Sequence, residues 1–280
     1  MPVSPEFDRL RVVLVAARNP LNIGAAARAM SNFGFTRLRV VNPYDVAFRE
    51  ARSAVGAPAL LANAEEYKSV AESVADCSLV VGTTAARDRE LQHPLRLLPE
   101  ASILIRQQLA AGPVALLFGS EKRGLANEDL SHCHWLLRIP TREEHVSMNL
   151  GQAVAICLYE LTRQLSNSAF SCGPARQAAT TNYRGAQPPS AATEESSQAG
   201  NISNDSGCAS ATAGNLERIS AVLLETLRAS GYLQPQAEAA TEEKIRRMIH
   251  RLNLSPEDAE LWLGMLRQMV WKLKAGSSSE

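Results

Sequence analysis

The chain has 280 residues, and its 29 Lys and Arg balance 29 Asp and Glu, so the formal net charge is zero. Apolar residues make up 45% and charged residues 21%, a globular composition with length for one large or two smaller domains. No run approaches the roughly 20 apolar residues that cross a bilayer, and five scattered cysteines (Cys77, Cys133, Cys157, Cys172, Cys208) form no C-x-x-C pair, so membrane spans, disulfide scaffolds and zinc ribbons are excluded.

The first twenty residues do not read as a secretory signal, and the cysteines suit a reducing cytoplasm. Zero net charge argues against nucleic acid held by bulk charge. The distribution is uneven, however: residues 1–39 carry Arg9, Arg11, Arg18, Arg28, Arg37 and Arg39 against Glu6 and Asp8, which leaves room for a local anion-binding surface.

In chain order, Arg11 to Ala16 is a near-continuous β-prone run, the pattern of a strand covered on both faces. Asn22 to Phe33 reads as a helix, and Leu38 to Val41 as a second strand stopped by Asn42-Pro43. Ser78 to Gly82 and Val114 to Phe118 are two more buried strands, Trp135 to Ile139 is a fifth, and helices are predicted over 57–75 and 100–111. Met148 to Leu165 places Leu150, Val154, Cys157, Leu158 and Leu161 on one helical face, with Ser147 as its N-cap. Strands alternating with helices predict an α/β body, 1–165, built on a parallel sheet with helices on both faces. Residues 166–214 contain no Leu, Val or Met and read as a flexible linker. The tail, 215–280, reads as a small all-α extension of three helices that needs a partner surface. The first carries Leu216, Ile219, Leu223 and Leu227 and ends at Gly231; the second carries Ile245, Met248, Ile249 and Leu252. Ser255-Pro256-Glu257-Asp258 opens the third, with Trp262, Leu266, Met269, Val270 and Leu273 as its buried stripe. Arg246, Arg247 and Arg251 form a candidate basic edge for RNA, or a solvated face.

Three segments are unlike ordinary packing. Arg18 to Arg28 runs from a strand end into a helix whose N-terminus favours anions; its alanines read as packing and Arg28 as functional. Phe118-Gly119-Ser120-Glu121-Lys122-Arg123-Gly124-Leu125 follows a buried strand, where parallel sheets bind ligands, and reads as a backbone cradle without being a phosphate P-loop. In Ser147-Met148-Asn149, Ser147 is explained as a cap, while Asn149 at N2 is not. His132-Cys133-His134 reads as structural, since alternate residues at a strand edge point apart and no fourth ligand is evident, so no metal is expected. Asp45 lies 21 residues after Gly24, as the ribose acid of a dinucleotide fold does after its turn, but the G-x-G-x-x-G fingerprint is missing.

NIGAAARAMSNFGF at 22–35, LLFGSEKRGLANEDLSHCHWLLRIPT at 116–141 and SMNLGQAVAICLYEL at 147–161, with VVNP at 40–43 and SLVVGTTAAR at 78–87, together resemble the motifs of the SpoU/TrmH class of the SPOUT methyltransferase superfamily. The resemblance covers the whole body and is strongest to TrmJ-type enzymes, which 2′-O-methylate cytidine or uridine 32 of the tRNA anticodon loop. It implies a deep trefoil knot, S-adenosylmethionine as cofactor, tRNA as substrate, and a homodimer with the active site at its interface. Carried over, the cofactor residues are Thr83, Thr84, Ala85, Gly119, Ile139, Val146, Ser147 and Met148; the catalytic residues are Arg28, Ser147 and Asn149. Arg18, Asn22, Arg28, Glu121 and Arg123 are the implied RNA-binding residues, and Ser120 departs from the Pro or Arg common at its position. Other readings are 2′-O-methylation of another tRNA position or of ribosomal RNA, a non-catalytic RNA-binding protein, and an NAD-dependent oxidoreductase.

Overall fold

The computed structural model describes residues 5–43, 45–53, 59–85, 92–169, 210–233 and 238–277. A 3-10 turn, Pro5–Arg9, leads into β1, Leu10–Val15. Val12 and Leu14 of β1 pack with one set of helices, Val13 and Val15 with another. A strand apolar on both faces belongs at the centre of a doubly covered sheet. Here β2 (Arg37–Val41) and β3 (Glu65–Tyr67) lie to one side of it. On the other side lie β4 (Leu79–Thr83), β5 (Leu95–Leu97), β6 (Val114–Phe118) and β7 (Trp135–Arg138). Every pairing is parallel, in the order β3-β2-β1-β6-β4-β7-β5.

One face is covered by α1 (Pro20–Phe33), α2 (Asp45–Ser53), α3 (Ala59–Ala62), α5 (Leu98–Ala111) and α7 (Leu150–Ala169). The other carries α4 (Val70–Val74), α6 (Asn127–Ser131) and the start of α8 (Ala213–Ala229). Helix α9 (Glu238–Arg251) and α10 (Pro256–Ser277) join α8 around Ile219, Leu224, Ile249 and Leu263. Helix α1 starts where Asn19 Oδ1 accepts the Leu21 N–H at 2.9 Å and Pro20 presets the first turn. Helix α7 approaches α1 closely where Gly151 faces Ala25: a Cβ on Gly151 would come within 2.6 Å of Ala25 Cβ.

The structure departs from the sequence-based expectation at several places. The helix predicted over 57–75 is instead α3, β3 and α4. Residues 65–67 pair with β2, where Arg39 Nε reaches Glu65 at 2.9 Å and the Tyr67 hydroxyl donates to the same carboxylate at 2.8 Å. Ser69 then caps α4 by accepting the Glu72 N–H. Asn149, not Ser147, caps α7, its Oδ1 accepting from the N–H groups of Gly151 at 2.9 Å and Gln152 at 3.3 Å. Helix α7 continues to Ala169, inside the expected linker. At the linker's other end, the Ala211 N–H donates to Leu254 O, the Ala213 N–H to Cys77 O and the Gly214 N–H to Ala75 O. Two free amides of the α8 N-terminus, those of Ala213 and Gly214, are thus satisfied by the body. Residues 170–209 of the expected linker lie outside the described residues. On α10 the buried positions include Ala259, Leu263, Leu266 and Val270, while Met269 is exposed.

The tail arginines are also corrected. Arg246 and Arg247 are buried, not an exposed basic edge: Arg246 binds Glu217, Glu242 at 2.8 Å and Ser131 Oγ at 3.2 Å, and Arg247 donates to Gln92 Oε1 at 2.6 Å. Buried charges must be paired, and these two are spent holding α9 on the body. Arg251 alone of the three is exposed.

The N-terminal arginine excess resolves in the same way. Arg9 donates to Leu109 O and Ala110 O, Arg11 to Asp8 O and Asp76, Arg37 to Asp8, and Arg39 to Asp76 and Glu65. Hydrogen bonds from Arg37 and Thr36 hold the Asp8 carboxyl down at about 2. Among the described residues, only Arg18 and Arg28 of the six have no side-chain partner.

His93, just before β5, gives the body an acid-sensitive point. Burial, with Arg247 nearby, pushes its pKa down from 6.5 to about 4. The unfolded chain therefore takes up this proton first, so stability is intact above pH 6.5 and is lost as pH falls towards 4, by on the order of 3 kcal/mol. Melting His93→Gln beside the parent at pH 7.5 and pH 4.5 checks this: the variant's Tm is expected to fall less on acidification.

Candidate functional site

Chain order and sheet order disagree most where β6 lies between β1 and β4, the crossover at which parallel sheets form ligand crevices beyond the strands' carboxyl ends. There the carboxyl ends of β4, β6 and β7 open on a cavity of about 600 Å3. Thr83, Thr84 and Ala85 line it after β4, residues 119–125 after β6, Ile139 and Thr141 after β7, and Val146, Ser147 and Met148 ahead of α7. All eight residues expected at the cofactor are therefore brought to one cavity. The Thr83 hydroxyl donates to Leu117 O at 2.8 Å, and the Thr84 N–H donates to Leu137 O at 2.9 Å, so the β4 end is tied to β6 and β7.

The loop after β6 folds back on itself. The Gly124 N–H donates to Ser120 O at 2.8 Å, and Gly124 takes φ +68°, the left-handed region glycine tolerates. A Cβ on Gly119 would overlap the backbone of Gly124 and Leu125. Backbone here lines the cavity where a side chain has no room.

Glu121 leaves this loop towards the α1 entry. Its carboxylate accepts from the N–H groups of Arg18 and Asn19, each at 3.2 Å, and from Asn22 Nδ2 at 3.0 Å. Burial alone would raise its pKa, but these donors outweigh it and hold the carboxyl below its ordinary value. Asn22 Oδ1 in turn accepts from Asn149 Nδ2 at 2.8 Å, and Asn149 caps α7. One chain of hydrogen bonds thus joins the three unusual sequence segments. It starts beside Ala16, whose φ of 51° is strained for a residue with a Cβ, by about 1–2 kcal/mol. Glu121→Ala leaves two backbone amides and Asn22 without their acceptor; the methyl transfer that the sequence resemblance implies is expected to drop at least about tenfold while Tm moves by only a few degrees, because the carboxylate is largely solvated. Parallel kinetics and melting check the split.

Of the remaining candidates, Arg18 and Arg28 stand outside the cavity wall, while Arg123 belongs to it. Arg28 is exposed on α1, and Arg18 is exposed before it. Lys122 and Arg123 are exposed at the cavity rim and unpaired among the described residues. The sequence reading placed Lys122 in the cradle without giving it a role, and it missed Thr141 as a lining residue, which nothing in the sequence marked. It also missed the Glu121–Asn22–Asn149 connection, because nothing in the local pattern joins residues about a hundred positions apart.

The SpoU rRNA methylase family model matches residues 9–159. The chain belongs to this family. Among similar proteins, the tRNA (cytidine/uridine-2′-O-)-methyltransferase TrmJ of Sodalis glossinidius is 32% identical over 261 residues, covering 93% of this chain and 91% of that one. A Pseudomonas aeruginosa protein named tRNA (cytidine/uridine/adenosine-2′-O-)-methyltransferase TrmJ is 41% identical over 157 residues, 55% of this chain and 61% of the relative. The crystal structure of TrmJ from Z. mobilis ZM4 superposes with a TM-score of 0.70 at 27% identity, covering 92% of this chain and 98% of that chain.

As a SpoU methylase the protein is a methyltransferase, with S-adenosylmethionine as its cofactor. The cavity suits that molecule. Apolar walls from Phe118, Leu137, Ile139 and Leu150 can enclose an adenine, and the hydroxyls of Thr83, Thr84 and Ser147 offer polar partners. The Gly119 cradle allows main chain to meet the ligand directly. No helix among the described residues is long and apolar enough to cross a membrane.

Proposed function

We propose that this methyltransferase 2′-O-methylates the ribose of cytidine or uridine 32 in the tRNA anticodon loop, in the cytoplasm, as a homodimer whose body carries a deep trefoil knot. What carries the reading is the combination of the cavity at the ends of β4, β6 and β7 with two exposed arginines that have no side-chain partner among the described residues: Arg18, whose backbone N–H donates to the cavity-lining Glu121, and Arg28 on α1. The tRNA relatives that match over more than nine-tenths of the chain support the substrate class. The exposed apolar side chains of Leu21 on α1 and of Ile156 and Tyr159 on α7 support the dimer.

Bound S-adenosylmethionine supplies an electrophilic methyl group. Thr83, Thr84, Ala85, Gly119, Ile139, Val146, Ser147 and Met148, which line the cavity, would hold it and exclude water. A ribose hydroxyl is a poor nucleophile and must be aligned and polarised. Arg28, with its fixed fork of donors and no acceptor, grips the target phosphate and polarises the 2′-oxygen. Asn149, held by Asn22 and by its cap on α7, keeps Ser147 and the α7 entry in place against the cavity. Arg18 and Arg123 add contacts to the RNA backbone, and Glu121 sets the loop that carries Arg123.

Methylation of ribosomal RNA is the second reading, favoured by the description of the matching family. Incubation with methyl-labelled S-adenosylmethionine and either bulk tRNA or bulk rRNA separates the two. Label recovered from tRNA as 2′-O-methylcytidine or 2′-O-methyluridine is expected; label in rRNA alone supports the second reading and overturns the first.

A further inference from the structure

The seam between the body and the C-terminal helices holds a group of side chains that methyl transfer does not use. His132 follows α6, Glu217 lies on α8 and His250 on α9. His132 Nδ1 stands 3.5 Å from Glu217 Oε2, and one ligand-type atom from each of His132, Glu217 and His250 lies within 4.8 Å of the others. His250 is 1% exposed, and neither of its ring nitrogens has a hydrogen-bond partner. An imidazole carries one donor or acceptor on each nitrogen, and buried polar atoms almost always find partners. The ring does not turn to protein for one: it meets His134 edge-on at 4.9 Å, and the Nδ1 of His134 is already taken by the Val80 N–H at 3.1 Å.

We propose that His132, Glu217 and His250 form a site for a divalent transition-metal ion of the zinc class, stapling α8 and α9 to the body. Two imidazoles and one carboxylate suit such an ion and not the all-oxygen preferences of magnesium or calcium. Local charge favours a cation, since Arg246 faces two carboxylates, Glu217 and Glu242. Arg246 makes three of the up to four bonds the Glu217 carboxylate accepts, and Glu217 keeps 30% of its side chain exposed, which gives an ion a way in. Bonds of about 2.1 Å imply a ligand spacing of roughly 3.4 Å, which the His132 Nδ1–Glu217 Oε2 pair at 3.5 Å already meets. The His132-Cys133-His134 triplet is incomplete by itself because its completing ligands come from helices far along the chain.

The test uses the full chain, stripped with chelator and dialysed against Zn2+. The parent is expected to retain one equivalent per chain, and His250→Gln and His132→Gln each to retain none. Zinc at a hundredfold excess over its Kd should raise the parent's Tm by about 5–10 °C and leave both variants unmoved. If either variant melts early without metal, the Co2+ spectrum of the parent decides: tetrahedral d–d bands without sulfur charge-transfer bands support the site. No retained zinc in the parent, full retention in both variants, or thiolate charge-transfer bands would each overturn it.

Discussion

Arg28→Ala is expected to lower kcat for methyl transfer by about 10²–10³-fold while the Kd for S-adenosylmethionine stays within about twofold. The size follows from what one aimed, charged donor contributes where charge develops in a transition state. The selectivity follows from position: Arg28 is exposed on α1, is absent from the cavity wall and has no partner among the described residues. Removing it therefore breaks no hydrogen bond that holds the fold. Arg28→Lys should recover only part of the rate, because an ammonium cannot reproduce the two-pronged grip on a phosphate. Calorimetric titration beside single-turnover kinetics reads both quantities. A parallel loss of cofactor affinity would make Arg28 a structural residue and leave the methyl-acceptor hydroxyl without its partner.

Gly119→Ala is expected to have the opposite signature, with cofactor binding lost and the fold kept but weakened. The new methyl would overlap the backbone of Gly124 and Leu125, and backbone cannot move aside as a flexible side chain does. Relief requires the 119–125 loop to open, carrying Glu121 away from Arg18, Asn19 and Asn22. Overpacking of this kind costs about 1–3 kcal/mol, a Tm drop of about 2–10 °C for a chain of this size. Titration with S-adenosylmethionine should give no measurable heat. A variant that binds the cofactor as the parent does would show that this loop does not form the cofactor's cradle.

The strands were legible in the sequence where burial on both faces leaves an unbroken apolar run, as in Val114 to Phe118, whose bounds match β6. They were illegible where pairing rests on polar groups. Glu65-Glu66-Tyr67 shows no strand pattern and forms β3 because Arg39 and β2 wait beside it. Strand β5, Leu95–Leu97, is equally short and lies at the sheet's edge, where apolar faces are not required. The site's parts could be read as oddities, glycines around charges and an exposed arginine two turns into an alanine-rich helix. Their connection could not, since Asn149 meets Asn22 only after the sheet has brought α1 and α7 together. The same reason explains the tail arginines: spacing placed Arg247 and Arg251 on a common face, but only tertiary contact decides that Arg246 and Arg247 are buried and Arg251 is not.

The central claim is that one hydroxyl, the 2′-OH of nucleotide 32, accepts the methyl group. The most direct measurement uses two tRNA transcripts identical except that one carries a 2′-deoxyribose at position 32, each incubated with the enzyme and methyl-labelled S-adenosylmethionine. The account predicts stoichiometric label on the first transcript and none on the second. Equal labelling of both would contradict it, whatever else the enzyme methylates.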